Sequence, residues 1–294
     1  GMVTDLGGFA ASTFKRGIAY INIPTTLLSQ VDASVGGKTG INFGGLKNEI
    51  GVFNCAATVI LSSDFLHSLD HKNLLSGYAE MLKHGIEPVV TLSHFEMPYH
   101  LVTEYGGWRS RKLVDFFVRF ATVCFERYKG KVKYWMTFNE INNQAAAPIA
   151  HHMLQEGAVL SIDEGHAEEL MYQASVNELI ASAKAVKACH EIDPDAMIGC
   201  MIAFCPLYAS TCNPADQMEK TWADHKRYWY VDVHAKGRVP QYMFRYWERM
   251  GFDIDLTSDE IEVLKQGVVD YIGFSYYMSF AVAARDDNPD FNFY

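Results

Sequence analysis

Trp135-Met136-Thr137-Phe138-Asn139-Glu140 is the stretch on which the prediction of the fold depends. Its aromatic and apolar residues favour a strand, which we place at Tyr134–Phe138. Asn139 and Glu140 follow at once, so an amide and a carboxylic acid lie where the strand ends. A carboxylic acid in that place can act as a proton donor. The ordinary alternative for a single Asn-Glu pair is a structural one, in which Glu140 begins a helix.

Strands and helices alternate on both sides of this stretch. Further strands are predicted at 88–92, Met197–Phe204 and Tyr271–Tyr276, and helices at 109–128, 168–190, around 218–230 and at Gln241–Met250, with Ser258 as the N-cap of another. This alternation implies a parallel sheet or a barrel. Catalytic residues of such folds lie at the carboxyl ends of the strands. His94, Glu140 and Tyr277 all follow predicted strands.

The composition excludes several classes of protein. The chain has 294 residues, of which 49% are hydrophobic, and a net charge of −10. This charge argues against non-specific binding of nucleic acid, which requires clustered lysine and arginine. No apolar run approaches the roughly 18 residues that a membrane span requires, and the first residues lack the pattern of a signal peptide. The six cysteines form no Cys-x-x-Cys pair, which indicates buried or free thiols in a cytoplasmic protein.

The first 85 residues have a different character, with glycine turns between short predicted strands at 19–23 and 58–61 and a predicted helix at 73–84. The glycine cluster in residues 1–8 either forms a structural turn or brings main-chain amides close to a pyrophosphate. Lys38 lies in Val35-Gly36-Gly37-Lys38-Thr39-Gly40, which lacks the spacing of a phosphate-binding P-loop.

A series of motifs in this part closely resembles the middle of 3-dehydroquinate synthases. The motifs are Asp5-Leu6-Gly7-Gly8, Lys15-Arg16-Gly17, Pro24-Thr25-Thr26-Leu27-Leu28, Val31-Asp32-Ala33-Ser34-Val35-Gly36-Gly37-Lys38-Thr39-Gly40-Ile41-Asn42, Lys47-Asn48 and Gly77-Tyr78-Ala79-Glu80-Met81-Leu82-Lys83-His84. The resemblance covers residues 1–85 and implies a fragment of a nucleotide-binding α/β domain from an NAD- and zinc-dependent cyclase.

The same resemblance implies roles for single residues. It places the NAD site at Asp5, Thr25, Thr26 and Lys47. It places the substrate at Asp32, Lys38, Asn48 and Lys83, with Arg16 reaching a neighbouring subunit. Glu80 matches the carboxylate ligand of the metal, and the two histidines that complete that site in the family lie beyond the stretch that resembles it. A catalytic zinc needs about three protein ligands, so this metal site is incomplete.

The remaining residues resemble family 1 glycoside hydrolases, and most closely their 6-phospho-β-glucosidase members. The motifs occur in order at barrel spacing and are Thr91-Leu92-Ser93-His94-Phe95-Glu96-Met97-Pro98, Gly106-Gly107-Trp108, Phe125-Glu126-Arg127-Tyr128, Trp135-Met136-Thr137-Phe138-Asn139-Glu140 and Tyr271-Ile272-Gly273-Phe274-Ser275-Tyr276-Tyr277. This resemblance implies a (β/α)8 barrel and a reaction that needs no cofactor. It implies Glu140 as the general acid/base. It also implies Asn139 and His94 as hydrogen-bond partners of the sugar, and Tyr277 or its neighbour Tyr276 as a contact of the nucleophile.

Two domains are therefore predicted in an α/β chain: a cyclase-like fragment at 1–85 and a partial TIM barrel of about four βα units at 86–294. The nucleophile of the hydrolase family lies in a Thr-Glu-Asn-Gly sequence, which the 294 residues do not contain. Three hypotheses follow: a hydrolase-like chain for sugars or sugar phosphates with impaired or no turnover, a cyclase-like chain, and a non-catalytic chimera. Half a barrel leaves two sheet edges open, so we expect marginal stability or self-association.

Overall fold

The chain forms two compact units, Gly1–Pro88 and Val89–Tyr294. They are seen in a computed structural model that describes residues 2–33, 37–43, 46–83, 85, 87–95, 97–145 and 166–284. No helix in these ranges is long and apolar enough to cross a membrane.

The described residues of the first unit form two helices and two small sheets. Helix α1 (Met2–Thr13) is followed by the short parallel pair of β1 (Ile21–Asn22) and β4 (Thr58–Val59). Strands β2 (Lys38–Phe43) and β3 (Leu46–Phe53) form an antiparallel hairpin, and helix α2 (His71–Lys83) ends the unit. Short helical turns lie at Phe14–Arg16, Ser29–Ala33 and Ser63–Ser68.

The glycine cluster near the start of the chain is helical, so the predicted structural turn was wrong, and the alternative, main-chain amides close to a pyrophosphate, stays a prediction. Gly7 and Gly8 lie inside helix α1. A Cβ atom on Gly8 would lie 2.5 Å from Cγ2 of Thr39 and 2.9 Å from the hydroxyl oxygen of Tyr20. Glycine at this position therefore lets the helix pack closely against its neighbours.

The second unit is an α/β fold, as predicted, around a four-stranded parallel sheet. Its strands are β5 (Val89–Ser93), β6 (Tyr134–Phe138), β7 (Met197–Phe204) and β9 (Tyr271–Tyr276), in the spatial order β5-β6-β7-β9. The short strands β8 (Leu207–Ala209) and β10 (Phe280–Val282) pair with each other in parallel. Three of the four sheet strands have the predicted bounds, and β5 begins and ends one residue after its prediction.

Helices occupy the segments between these strands. They are α3 (Tyr99–Tyr105), α4 (Lys112–Tyr128), α5 (Ala167–Ile192), α6 (Pro214–Lys236), α7 (Gln241–Met250) and α8 (Ser258–Gln266), with short turns at Gly107–Arg109 and Ile141–Asn143. The prediction of Ser258 as the N-cap of α8 was wrong. Thr257 caps the helix, because its hydroxyl accepts the N–H of Glu260 while the Glu260 carboxylate accepts the N–H of Thr257.

Aromatic residues fill the core of the second unit. Trp229 is fully buried, and its indole ring lies 5.7 Å from that of Trp247. Trp135 packs edge-on against Phe125, and Phe138 stacks on Phe117 at 4.4 Å. The cysteines form no disulfide among the described residues, and burial raises the pKa of the Cys189 and Cys200 thiols to about 12. These two thiols are therefore packing groups.

A buried chain of hydrogen bonds links the sheet to two helices. The hydroxyl oxygens of Thr137 on β6 and Ser182 on α5 lie 2.8 Å apart, and Ser182 Oγ lies 3.2 Å from Nε2 of His234 on α6. Nδ1 of His234 lies 2.9 Å from the carbonyl oxygen of Tyr230, which can only accept. Nδ1 therefore carries the proton, and Nε2 accepts from Ser182.

Acid should destabilise the second unit through His234. Burial lowers the pKa of this histidine from 6.5 to about 4. Below pH 6.5 this histidine is protonated in the unfolded chain, whereas in the folded protein it stays neutral down to about pH 4. The free energy of unfolding therefore decreases as the pH falls from about 6.5 toward about 4. Between pH 7 and pH 5 the free energy of unfolding should fall by about 2 kcal/mol less in the His234→Gln variant than in the wild-type chain. Urea denaturation measures this difference, and His100→Gln, at an exposed histidine, should leave it unchanged.

Candidate active site

The predicted site residues of the second unit lie along one edge of the sheet, where the parallel strands end. Ser93 pairs with Phe138, and the N–H of Asn139 donates to the Ser93 carbonyl at 2.9 Å. His94 and Asn139 are therefore neighbours. Toward the opposite outer strand, β7 pairs with β9, and Phe204 lies opposite Tyr276. This edge thus carries His94, then Asn139 and Glu140, then the end of β7, and then Tyr276 and Tyr277.

Glu140 has a strained backbone and one carboxylate oxygen without a partner. Its φ of 45° and ψ of 43° lie in the left-handed region, which is uncommon for a residue with a side chain. The side-chain amide of Asn143 donates to Oε2 of Glu140 at 3.0 Å. Oε1 is buried and has no hydrogen-bond partner in the described part of the chain. Strain and an unsatisfied acceptor together are typical of a functional site.

Asn142 holds the segment that carries Glu140, and the sequence reasoning missed it. Its fully buried side-chain amide donates to the Ala203 carbonyl at 3.0 Å and to the Arg227 carbonyl at 3.3 Å. Its side-chain oxygen accepts the N–H of Ala203 at 2.7 Å. One side chain therefore joins the end of β6 to the end of β7 and to helix α6.

Gln144 is a second residue that the sequence reasoning missed. Its side chain is 2% exposed, and neither its amide nitrogen nor its amide oxygen has a hydrogen-bond partner among the described residues. The signal in the sequence was the run Asn142-Asn143-Gln144, which is separated from Glu140 by Ile141 alone. Three consecutive amides next to an apolar strand indicate groups that need partners in the interior.

The other predicted sugar contacts are accessible. His94 is exposed, and its ring packs edge-on against Phe95 at 5.2 Å. Phe95 has a positive φ of 73°, so strained backbone follows β5 as well as β6. The hydroxyl oxygen of Tyr276 lies 3.2 Å from Ser279 Oγ, and the side chain of Tyr277 is 70% exposed. The structure places these residues at one edge, and their contacts with a sugar stay a prediction.

The predicted NAD residues of the first unit lie on separate elements. Asp5 is half-buried on helix α1, and Thr25 is exposed in the loop after β1. The hydroxyl of Thr26 forms a 2.9 Å hydrogen bond with Ser29 Oγ within the same turn. Arg16 is exposed and has a positive φ of 68°. The remaining predicted positions have side chains outside the described part of the chain, and they are Asp32, Lys38, Lys47, Asn48 and Lys83.

The described residues do not fit a zinc site. Glu80, the predicted metal ligand, is half-buried on helix α2. No group of three histidine, cysteine, aspartate or glutamate side chains within the described ranges is arranged to hold a metal ion. A catalytic zinc requires about three protein ligands, and the described residues do not supply such a set.

Comparisons with known proteins assign the two parts of the chain to different families. Residues 71–292 match the model of glycosyl hydrolase family 1, and residues 1–76 match the model of the N-terminal part of 3-dehydroquinate synthase. The two matches overlap at 71–76, where helix α2 begins. One helix therefore lies at the transition between the two likenesses.

Relatives confirm both likenesses. The aryl-phospho-β-D-glucosidase BglA of Bacillus subtilis is 48% identical over 213 residues, which cover 72% of this chain and 44% of the relative. The 3-dehydroquinate synthase of Parabacteroides distasonis is 66% identical over 86 residues, which cover 29% of this chain and 24% of the relative. The chain thus spans less than half of the length of either protein.

A solved structure shows the same fold. The family 1 β-glucosidase of Exiguobacterium antarcticum superposes with a TM-score of 0.61 at 27% identity, over 75% of this chain and 49% of that structure. The superposed residues, 75% of this chain, are more than the second unit (Val89–Tyr294) contains. The fold of a family 1 glycosidase is therefore present in part.

Proposed function

The chain belongs to glycosyl hydrolase family 1, and from this premise we propose that its second unit supplies the proton-donor side of a β-glycoside site. The four-stranded sheet is then part of a (β/α)8 barrel, with about four of the eight βα units. The observation that carries the proposal is the Glu140 carboxylate, buried at the carboxyl edge of the sheet with one oxygen held by Asn143 and the other without a partner in the described residues.

The geometry supports a division of roles along this edge. The Glu140 oxygen without a partner would donate a proton to the leaving-group oxygen of the glycoside. His94 and Asn139, on neighbouring strand ends, would hydrogen-bond the hydroxyl groups of the sugar. Tyr276 and Tyr277 would lie beside the group that attacks the anomeric carbon. Hydrolysis further requires a second carboxylate, about 5 Å away in a retaining enzyme.

We propose a 6-phosphorylated β-glucoside as the preferred ligand, ahead of the unphosphorylated sugar. The support is the activity for which two relatives are named, BglA and the 6-phospho-β-glucosidase AscB of Escherichia coli, the latter 43% identical over 211 residues. These 211 residues cover 71% of this chain and 43% of AscB.

Binding is the direct test of the proposed site. Methyl β-D-glucoside and its 6-phosphate should shift the amide NMR resonances of His94, Asn139 and Glu140, and sorbitol, which has similar hydroxyl groups but no ring, should not. His94→Ala should weaken these shifts, because it removes one hydrogen-bonding ring at the strand end. His100→Ala, at a nearby exposed histidine on α3, is the matched control. Equal shifts with sorbitol, or equal weakening by both substitutions, would contradict the proposal.

A second candidate function rests on the first unit. Its 66% identity to a 3-dehydroquinate synthase over 86 residues favours descent from an NAD-dependent cyclase. We expect this unit to hold no zinc in stoichiometric amount, because Glu80 has too few partners of the right kind in the described ranges. Elemental analysis of the purified chain checks this, and one tightly bound zinc per chain would restore the cyclase hypothesis. Titration with NAD tests the cofactor site independently.

A further inference from the structure

The two outer strands of the parallel sheet have main-chain groups available for pairing. In the order β5-β6-β7-β9, the outer sides of β5 and β9 pair with no strand within the described ranges. The Ser93 carbonyl accepts from the N–H of Asn139, the residue after β6. Because hydrogen bonding alternates along a strand, the N–H and C=O groups of Val90 and Leu92 point to the outer side. β5 therefore presents a row of donors and acceptors.

Neither outer strand has the features that normally prevent pairing. Natural sheets protect such strands with charged side chains or proline. The sequences of β5 (Val-Val-Thr-Leu-Ser) and β9 (Tyr-Ile-Gly-Phe-Ser-Tyr) contain neither. Val89 is 52% exposed and Phe274 is 65% exposed. Both strands are thus built like interior strands of a larger sheet.

Apolar cavities flank both outer strands. A cavity of about 330 Å³ lies beside β5, with walls formed by Leu92, Phe95, Trp108 and Phe116 among others. A wider cleft of about 690 Å³ lies beside β9, with walls that include Phe204, Tyr228 and Phe274. Burying this apolar surface would be favourable at each of the two strands.

The inner face of the sheet also carries apolar and aromatic side chains. The rings of Tyr134 and Tyr271 meet edge-on at 6.2 Å. A Cβ atom on Gly273 would lie 3.4 Å from the sulfur of Met136 and 3.5 Å from the methyl carbon of Met201. Side chains of this type fill the interior of a closed eight-stranded barrel. The sheet therefore has two apolar faces, as a barrel wall has.

We propose that two copies of the 294-residue chain pair through these strands, β9 of each copy along β5 of the other, to close an eight-stranded parallel barrel. A twofold axis along the barrel keeps all eight strands parallel and makes the two junctions identical. The four described sheet strands of each copy together make eight, the number at which side chains just fill the interior of a barrel. The partner is a second copy because its β5 and β9 complement β9 and β5 of the first. The inference rests on the partial-barrel proposal and is independent of sugar binding.

Analytical ultracentrifugation of the full chain tests this inference. The wild-type chain is expected to sediment as a dimer. Val89→Lys places a charge on the inner face of β5, since Val89 pairs with Tyr134, and Phe274→Lys places one in the cleft beside β9. Each should raise the dimer dissociation constant at least about tenfold. Val123→Lys, at a residue of similar exposure (56%) on helix α4, is the matched control and should remain dimeric.

The remaining outcomes separate this arrangement from others. Hydrogen exchange should slow at the amides of Val90 and Leu92 as the chain concentration rises. A monomeric wild-type chain, a dimer that neither lysine substitution weakens, or an open series of larger assemblies would each overturn the closed barrel. Glu140→Gln should leave the dimer intact, so a failure of the proposed sugar site is distinguishable from a failure of the proposed dimer.

Discussion

The 294-residue chain is expected to release no more p-nitrophenol from p-nitrophenyl β-glucoside, or from its 6-phosphate, than its Glu140→Gln variant does. Glycoside hydrolysis needs one carboxyl group to protonate the leaving oxygen and another to attack the anomeric carbon or to activate water. Two residues follow directly after each of the four sheet strands, at 94–95, 139–140, 205–206 and 277–278. Of these eight residues, only Glu140 has a carboxylic acid. The described edge therefore supplies half of the required chemistry.

A continuous assay of p-nitrophenol absorbance checks this expectation. Glu126→Gln, at an exposed position on helix α4, is a control for preparation and folding. Turnover by the wild-type chain and by Glu126→Gln that disappears in Glu140→Gln would contradict the prediction. That result would show that a carboxylate elsewhere in the chain reaches the site.

Asn142→Leu is expected to destabilise the second unit by about 3 kcal/mol. Leucine has a similar size but cannot form the three hydrogen bonds of the buried amide. The N–H and C=O of Ala203 and the C=O of Arg227 would each lose a partner in the interior, where an unsatisfied group costs about 1–3 kcal/mol. The segment that carries Glu140 would lose its link to β7 at the same time.

Urea denaturation followed by tryptophan fluorescence measures this effect, because all five tryptophans lie in the second unit. The matched control is Asn143→Ala, which removes a half-buried amide with one side-chain hydrogen bond to Glu140. It should cost about 1 kcal/mol or less. Equal losses for the two variants would show that the link between β6 and β7 contributes no stability of its own.

Local sequence signals were sufficient for three of the four sheet strands of the second unit. Tyr134–Phe138, Met197–Phe204 and Tyr271–Tyr276 have the predicted bounds, because short apolar runs between turn residues leave little freedom in where a buried strand begins and ends. The N-cap of helix α8 was missed by one residue. Thr257 and Ser258 are both good caps, and the position of Glu260 three residues after Thr257 decides between them.

The first unit was harder to predict, since its local signals are ambiguous. Gly7 and Gly8, of a type common in loops, lie inside helix α1, where close packing against Thr39 and Tyr20 requires glycine at position 8. The predicted strand at 19–23 is formed only at Ile21–Asn22, and that at 58–61 only at Thr58–Val59. Glycine content alone does not distinguish a ligand loop from a tightly packed helix.

The sequence by itself determined the four sheet strands of the second unit to within one residue, the two family likenesses and the position of Glu140 after β6, because each depends on local patterns and motifs along the chain. The tertiary structure alone decided which groups surround that carboxylate. Asn142 contacts Ala203 and Arg227, which lie 61 and 85 residues away, and only the pairing of β6 with β7 and the packing of helix α6 bring them together. Hydrogen bonds over such separations follow from the pairing of strands and the packing of helices that are distant in the sequence, which no local pattern encodes.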